Sequence, residues 1–285
     1  MIEHTTLTVL VTGATGNVGR PLVEALLADG HRVRALTRDP ARADLPEGAE
    51  AMAGNLADGT GLAAAFDGVD AIHLITFDGA DYSPLTNGAE IVALAEQAGV
   101  RRVTVLKGDL AAGPLEKAVE ASGLDWTHLA PGEFMSNALE WAESVRAEGV
   151  VRDGFPESLS AMVHDADIAA VAAVALTAGG RQRNEHAGRT YLLSGPEVLT
   201  PPEKVRTIAE ALGREVRFVE LSTPEIVAAW RQSGFSDSDI EFFLAVRTET
   251  PESGRTVLPT VEQVTGRPAR TFAQWVRENA AAFGG

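Results

Sequence analysis

The 285-residue sequence contains no cysteine and only two tyrosines, Tyr82 and Tyr191; its lysines are three, Lys107, Lys117 and Lys204. Without cysteine there is no disulfide, no thiolate metal site and no cysteine nucleophile. Basic residues are scarce as a class: 24 Lys and Arg stand against 40 Asp and Glu, for a formal net charge of −16. That balance opposes general binding to nucleic acid or to an anionic membrane. Long hydrophobic runs are missing too. The longest small-apolar stretch, Ile168–Ala178, is about half the length a bilayer span needs. The opening MIEHTTLTVLVTGATG places no basic region before its apolar run, so no signal peptide is expected, and a cytoplasmic location is the default. The six histidines form no His-x-x-x-His or His-Glu-x-x-His pattern, so no metal is expected. There is no G-x-S-x-G nucleophile elbow and no phosphate-binding G-x-x-x-x-G-K-[ST].

What remains is a composition that folds: 45% apolar and 22% charged residues. The length suffices for a real core, as one large domain or two modest ones. Up to about residue 131 short apolar runs alternate with helix-period segments. Strands are expected at Leu7–Thr12, His31–Thr37, Ala49–Ala53, Ala71–Ile75, Val103–Leu106 and Trp126–Ala130. Helices are expected at Pro21–Ala28, Leu62–Phe66, Ala89–Ala98 and Leu115–Ser122. Repeated βαβ units imply a parallel sheet buried on both faces, the Rossmann-type doubly wound α/β class. Beyond that point the rhythm changes. Helices are expected over Glu133–Arg146, Ile168–Leu176, Ser236–Val246 and Phe272–Ala282, and strands over Arg189–Leu193 and Glu215–Leu221. Thr200-Pro201-Pro202-Glu203 has the form of a capped helix start, and Thr223-Pro224-Glu225 opens another. The expected division is residues 1–150 as a dinucleotide-binding domain and 151–285 as a smaller mixed α/β substrate region, with excursions of chain back to the first.

The sharpest local signal is Gly13-Ala14-Thr15-Gly16-Asn17-Val18-Gly19, directly after a strand and opening a helix. The spacing is G-x-x-G-x-x-G. Glycine permits the tight turn and lets backbone approach a pyrophosphate, while the helix N-terminus offers N–H groups and the positive end of its dipole. A nicotinamide dinucleotide is the expected cofactor. An NAD-specific fold usually has Asp or Glu at the end of the second strand; this chain has Thr37-Arg38-Asp39. Arg38 has the fork geometry for a 2′-phosphate, so NADP is favoured over NAD. Two alternatives stand beside that reading: Arg38 is an exposed turn residue, or Asp39 pairs with it or takes the ribose.

TGATGNVG near the start, TRDP after the second strand and GNLAD after the third resemble the NmrA-like group of atypical short-chain dehydrogenase/reductases, which includes quinone and azo reductases. GVRRVTVLKG, EASGLDWTHLAPGEFMSN, VHDADIAAVAAVAL, RTYLLSGPEVLT and VTGRPARTFAQWVREN extend the resemblance over almost the whole chain. It implies that Gly13, Thr15, Gly16, Asn17 and Val18 line the pyrophosphate. Asn55 and Leu56 would flank the adenine; the family often has Asp where Asn55 stands. Ile75, Thr76 and Phe77 would pass beside the ribose and nicotinamide. Pro131, Gly132, Glu133 and Phe134 would face the nicotinamide and substrate, and Met135 and Asn137 would shape the substrate pocket with Phe134.

The Tyr-x-x-x-Lys pair of most short-chain dehydrogenases is absent, because Thr86 and Gly195 stand four positions after the two tyrosines. Lys107 ends the fifth strand, where the family commonly has serine and where open α/β sheets bind ligands. It either touches the cofactor and donates to a carbonyl oxygen or anionic group as the catalytic residue, or lies on the rim of the cleft. Asp109 is its candidate partner, and Glu116 matches a recurrent family glutamate or simply faces solvent. His73 reads as core and His128 as a residue near the nicotinamide side. Asp165 or Asp167 reads as a helix cap. The four tryptophans read as packing, while Phe242 and Phe243 either pack near Trp230 or cover a substrate pocket.

Two functions follow. The first is an NADPH-dependent reductase passing hydride to a quinone or related conjugated aromatic carbonyl, an acceptor that needs little acid catalysis. The second is a nucleotide-sensing regulator that binds NAD(P) without consuming it and acts through a protein partner. The expected partner is a small aromatic molecule, not nucleic acid or membrane; monomer and homodimer are both open.

Overall fold

The computed structural model describes residues 5–79, 83–108, 111–180, 182 and 185–285. Tyr82 and Asp109 lie outside them. In chain order the elements are β1 (Thr8–Val11), α1 (Gly19–Ala28), β2 (Arg32–Thr37), β3 (Glu50–Ala53), α2 (Leu62–Phe66), β4 (Ala71–Ile75), α3 (Gly88–Gln97), β5 (Arg102–Leu106), α4 (Pro114–Glu120) and β6 (Asp125–Pro131). A 3-10 helix over Met135–Trp141 then leads into α5 (Ala142–Glu148) and β7 (Val150–Asp153). There follow α6 (Asp165–Thr177), β8 (Arg189–Leu193), α7 (Pro201–Leu212), β9 (Arg217–Glu220), α8 (Thr223–Gln232), α9 (Asp237–Thr248), α10 (Thr260–Thr265) and α11 (Phe272–Glu278).

The chain divides into two compact units. One comprises Met1–Pro131, Asp165–Leu193 and Gln263–Gly266; the other Gly132–His164, Ser194–Glu262 and Arg267–Gly285. The first holds a seven-stranded sheet in the order β3-β2-β1-β4-β5-β6-β8, with every adjacent pair parallel. This is the Rossmann-type architecture. Its central strands are mostly apolar and buried, as a sheet covered on both faces requires: β5 is buried at all five positions. Leu10, Phe66, Ile72, Ile91, Val103 and Leu115 belong to one core cluster. Helix α6 is buried almost all round, which explains its uniform alanine, valine and leucine composition. Asp165 and Asp167 occupy its first turn, where negative charge complements the helix dipole. Arg102 at the start of β5 donates to the carbonyls of Leu176 (3.0 Å) and Gln182, tying the chain after α6 to the sheet.

The second unit is a smaller mixed α/β assembly. Its two-stranded parallel sheet pairs β7 with β9. Its core gathers Met135, Trp141, Val151, Ile208, Phe272 and Trp275, and Phe272 stacks on Trp275 at 5.7 Å. The expected start of α7 is a complete capping box: Thr200 N–H donates to Glu203 Oε2 at 2.9 Å and Glu203 N–H to Thr200 Oγ1 at 3.4 Å.

One expected helix is corrected. Glu133–Arg146 does not start as a helix; Phe134 is extended, and the first regular turns are 3-10. The cause is a bridge to a distant segment: Met135 N–H donates to Val163 O (2.9 Å) and Val163 N–H to Glu133 O (2.8 Å). No helix among the described residues is long and apolar enough to cross a membrane.

Candidate active site

The strand order reverses between β1 and β4, and in open α/β sheets such a reversal opens a crevice at the carboxyl ends. Thr12 fixes that point. Its buried Oγ1 donates to His73 O at 2.9 Å and accepts from Ile75 N–H at 3.0 Å. Gly13 follows with φ +60, a left-handed conformation costly for other residues. Gly16 N–H closes the turn on Gly13 O at 2.9 Å. A Cβ on Gly19 would lie 2.0 Å from Gly13 O, so only glycine lets α1 start this close to the turn. Val18 at its N-cap makes no side-chain cap, and the first turn carries no acidic residue. The helix end is therefore shaped for an external anion, and the pyrophosphate of a dinucleotide fits it.

Several of the expected residues stand at the carboxyl ends of the neighbouring strands. Gly13 abuts Ile75: a Cβ there would sit 3.1 Å from Ile75 Cγ2. Thr76 lies beside Gly108, the residue after Lys107. Lys107 is half-buried, and its N–H prolongs β5 by donating to Leu129 O at 2.9 Å. Arg38 leaves the end of β2 with its side chain 54% exposed, 3.6 Å from Asp78 Oδ1, and donates to Gly79 O at 3.2 Å. Asp39 instead accepts from Ala41 N–H at 3.2 Å, so the ion pair of Arg38 is with Asp78. Phe77 bridges to Pro84, and Pro131 ends β6 opposite Leu193.

Asn55 and Leu56 lie in the loop after β3. Asn55 Oδ1 accepts from Ala57 N–H (3.1 Å) and its Nδ2 donates to Asp58 (2.9 Å), which shapes the loop. Leu56 belongs to the core, and its carbonyl accepts from Asn87 Nδ2 at 2.8 Å. Asn87 carries a buried Oδ1 with no hydrogen-bond partner among the described residues.

His73 and His128 sit inside the sheet. His73 Nδ1 lies 2.8 Å from Thr104 Oγ1, and burial pushes its pKa down to about 4. His128 is buried with Nε2 3.1 Å from Glu120 on α4. Burial lowers its pKa, the Glu120 carboxylate opposes that, and the Lys107 charge adds to it. A cavity of about 100 Å³ lined by Leu7, Asp70, Arg101, Arg102, Asp125 and Gly180 opens at the amino ends of the strands, opposite the glycine turn.

In the second unit the expected substrate residues share one short segment with a group of charges. Met135 is buried in the core, while Asn137 and Gly132 are exposed and Phe134 half-buried. Glu133 is held by Lys204 Nζ at 3.0 and 3.1 Å from its two oxygens. Burial alone would raise the Glu133 pKa; the Lys204 ammonium and Ser160 hydroxyl outweigh it and hold it below the usual range. Asp153 at the end of β7 faces Arg247 of α9 at 3.5 Å; burial raises its pKa, and Arg247 opposes. Glu140 lies in the field of all four, and burial followed by Asp153 pushes it up to about 7. Beside these charges Phe155 stacks near Trp230 (6.4 Å, 14°), and Trp230 meets Phe243 (5.9 Å) and Phe235 (6.4 Å). Trp230 thus packs as expected and Phe243 with it, whereas Phe242 is 59% exposed. Glu140, Asp153, Lys204 and Arg247 were not singled out by the sequence, because nothing local links residues so far apart.

Residues 13–114 match the family model described as NAD(P)H-binding. Over 288 residues the chain is 37% identical to the (4-alkanoyl-5-oxo-2,5-dihydrofuran-3-yl)methyl phosphate reductase of Streptomyces griseus, covering 96% of this chain and 99% of that protein. It is 33% identical over 290 residues to the NAD(P)H azoreductase of Xenophilus azovorans, covering 97% and 99%. The NADPH complex of the NADPH-dependent quinone oxidoreductase of Escherichia coli shares the fold, with a TM-score of 0.76 over 95% of this chain and 99% of that one at 24% identity. Fold, glycine turn and relatives define the class: a Rossmann-fold oxidoreductase that binds NAD(P)H and works as a reductase. Within that class the chain belongs to the same family as these two reductases.

Proposed function

We propose that the protein transfers hydride from NADPH to a quinone or related conjugated aromatic carbonyl, without a Tyr/Lys proton-donor pair. The observation that carries this reading is the glycine turn joined to an acid-free, uncapped start of α1, with Arg38 just after β2, the strand paired with β1. The similarity to one reductase acting on an oxo-dihydrofuran and another acting as an azoreductase supports an electron-poor conjugated acceptor.

In this reading Gly13, Thr15, Gly16, Asn17 and Val18 hold the pyrophosphate, and Arg38 takes the 2′-phosphate in place of, or alongside, Asp78. Asn55 and Leu56 bound the adenine. Ile75, Thr76, Phe77 and Pro131 line the path toward the nicotinamide, and Lys107 steadies the ribose or the acceptor oxygen at the end of β5. Bound NADPH supplies the hydride. Gly132, Phe134, Met135 and Asn137 select and orient the acceptor, so that positioning and exclusion of water carry most of the acceleration. The test is NADPH oxidation by the purified protein across a panel of benzoquinones and naphthoquinones. Turnover above background is expected. Tight NADPH binding with no acceptor reduced would overturn the enzyme assignment in favour of a sensing role.

A further inference from the structure

Within the first unit, the chain segments that follow β2, β3 and β4 are tied to one another. Gly54 N–H, just after β3, donates to Thr37 O at the end of β2 at 3.0 Å. Arg38 reaches from there to the segment after β4, donating to Gly79 O at 3.2 Å and facing Asp78 Oδ1 at 3.6 Å. Asn87 ends the same connection between β4 and α3, and its Nδ2 donates to Leu56 O, back in the loop after β3, at 2.8 Å. In the sheet β3 and β4 are separated by β2 and β1, yet the loops that leave them are joined through this one side-chain amide.

Only half of that amide is used. Asn87 stands at the N-cap of α3, where an Asn side chain ordinarily accepts from the first free N–H groups of the helix, but it makes no such cap. With Nδ2 turned to Leu56, Oδ1 is left buried and has no hydrogen-bond partner among the described residues. A desolvated acceptor without a donor is costly, and folded proteins seldom leave one unless a water or ligand completes it. The residue as a whole is half-buried, so the amide stands at the margin of the core. Its polar neighbours in the loop after β3 are already engaged. Asn55 Oδ1 accepts from Ala57 N–H at 3.1 Å, and Asp58 accepts from Asn55 Nδ2 at 2.9 Å and from Thr60 N–H at 2.8 Å.

We propose that Asn87 reads the base of the dinucleotide: its Oδ1 accepts a hydrogen bond from the exocyclic amino group of adenine, while its Nδ2 holds the Leu56 backbone that bounds the ring. This rests on the cofactor reading above, in which Arg38 takes the 2′-phosphate and Asn55 and Leu56 bound the adenine. The choice of base follows from the atom. Adenine carries an amino donor at its 6-position, whereas guanine carries an oxygen there, and hypoxanthine does too. An oxygen at that position would meet the Asn87 oxygen lone pair to lone pair, and a site with a buried polar group left unpaired rejects such an analogue. Asn87 is thus a specificity-determining residue for adenine nucleotides and takes no part in the transfer of hydride.

The experiment is isothermal titration of the full chain with NADPH and with its hypoxanthine analogue, the same dinucleotide with the amino group of the base replaced by oxygen. The wild type should bind NADPH about tenfold more tightly, the effect of one hydrogen bond lost with its acceptor left buried. Asn87→Ala should bind the two alike. Asn87→Asp keeps an acceptor and loses the bond to Leu56, so it should bind both more weakly and still prefer adenine. Equal affinities in the wild type would overturn the proposal, and that comparison needs no variant to fold. So would a preference that persists in Asn87→Ala, which would move the base contact to another acceptor beside the loop, Asp58 or Glu90. A preference lost in Asn87→Asp as well as in Asn87→Ala would reduce Asn87 to a brace for Leu56. A protein that binds NADPH but shows one of those results keeps the reductase reading and loses Asn87; one that binds neither dinucleotide loses both.

Discussion

Lys204 Nζ contacts both carboxylate oxygens of Glu133, at 3.0 and 3.1 Å, from a side chain only 3% exposed. The two residues are 71 positions apart, and the contact anchors α7 to the segment that begins Gly132-Glu133-Phe134. Removing one partner of a buried pair leaves a charge without compensation. Lys204→Met should therefore destabilise the protein by about 3 kcal/mol, the low end for such pairs because Glu133 keeps some solvent contact. The double variant Glu133→Gln/Lys204→Met should recover part of the loss. Urea unfolding midpoints of the two single variants and the double variant check both expectations.

The approach of α1 to the glycine turn makes Gly19 intolerant of any side chain. A Cβ would meet Gly13 O at 2.0 Å and Ala14 Cα at 2.9 Å, so Gly19→Ala must push α1 away from the turn. Relief by backbone movement costs about 1–3 kcal/mol of stability and misplaces the N–H groups that face the pyrophosphate. NADPH affinity should fall at least about tenfold, since 1.4 kcal/mol of lost anion binding corresponds to that factor. Isothermal titration with NADPH, at a temperature where the variant is folded by circular dichroism, measures it. Unchanged affinity would remove the turn from the cofactor site.

Arg38 tests the choice of nucleotide. Its guanidinium faces Asp78 at 3.6 Å and is half-exposed, so a surface ion pair worth about 0–1 kcal/mol is all it gives up to a phosphate. Arg38→Ala should weaken NADPH by about tenfold or more through the lost charge-assisted hydrogen bonds, and leave NADH nearly unchanged. Equal NADPH affinity in both proteins would reduce Arg38 to a turn residue.

The parts legible in the sequence were those carried by neighbours along the chain. Gly13 to Gly19 follows β1 directly, and the turn, the helix start and the crevice all follow from that adjacency. The capping box of Thr200 and Glu203 is a four-residue signal and is formed as written. β7 was not legible: Val150–Asp153 is four residues long, and its partner β9 begins at Arg217. The 3-10 start after Phe134 was hidden for the same reason, since the bridge to Val163 overrides a helical pattern. Side-chain pairs such as Lys204–Glu133 and Arg247–Asp153 exist only once the second unit has folded. Local spacing carries no trace of them, so the charged surroundings of Glu140 emerged from the structure alone.

His73 makes acid stability the last test. In β4 it is fully buried, with Nδ1 near Thr104 Oγ1, and burial takes its pKa from an ordinary 6.5 down to about 4. The unfolded chain binds the proton first as pH falls, so acid favours unfolding. The contribution of the neutral ring is complete above about pH 6.5 and is lost progressively toward pH 4. That difference between the folded and unfolded ring corresponds to about 3 kcal/mol over the window. His73→Gln has no proton to take up there and keeps a polar contact for Thr104. It should be less stable than the wild type at pH 8, with the gap narrowing by about 3 kcal/mol as pH falls to 4. Urea midpoints of both proteins at pH 8, 6, 5 and 4 give the difference directly. A gap that stays constant across the series would show that His73 does not titrate on unfolding in this range.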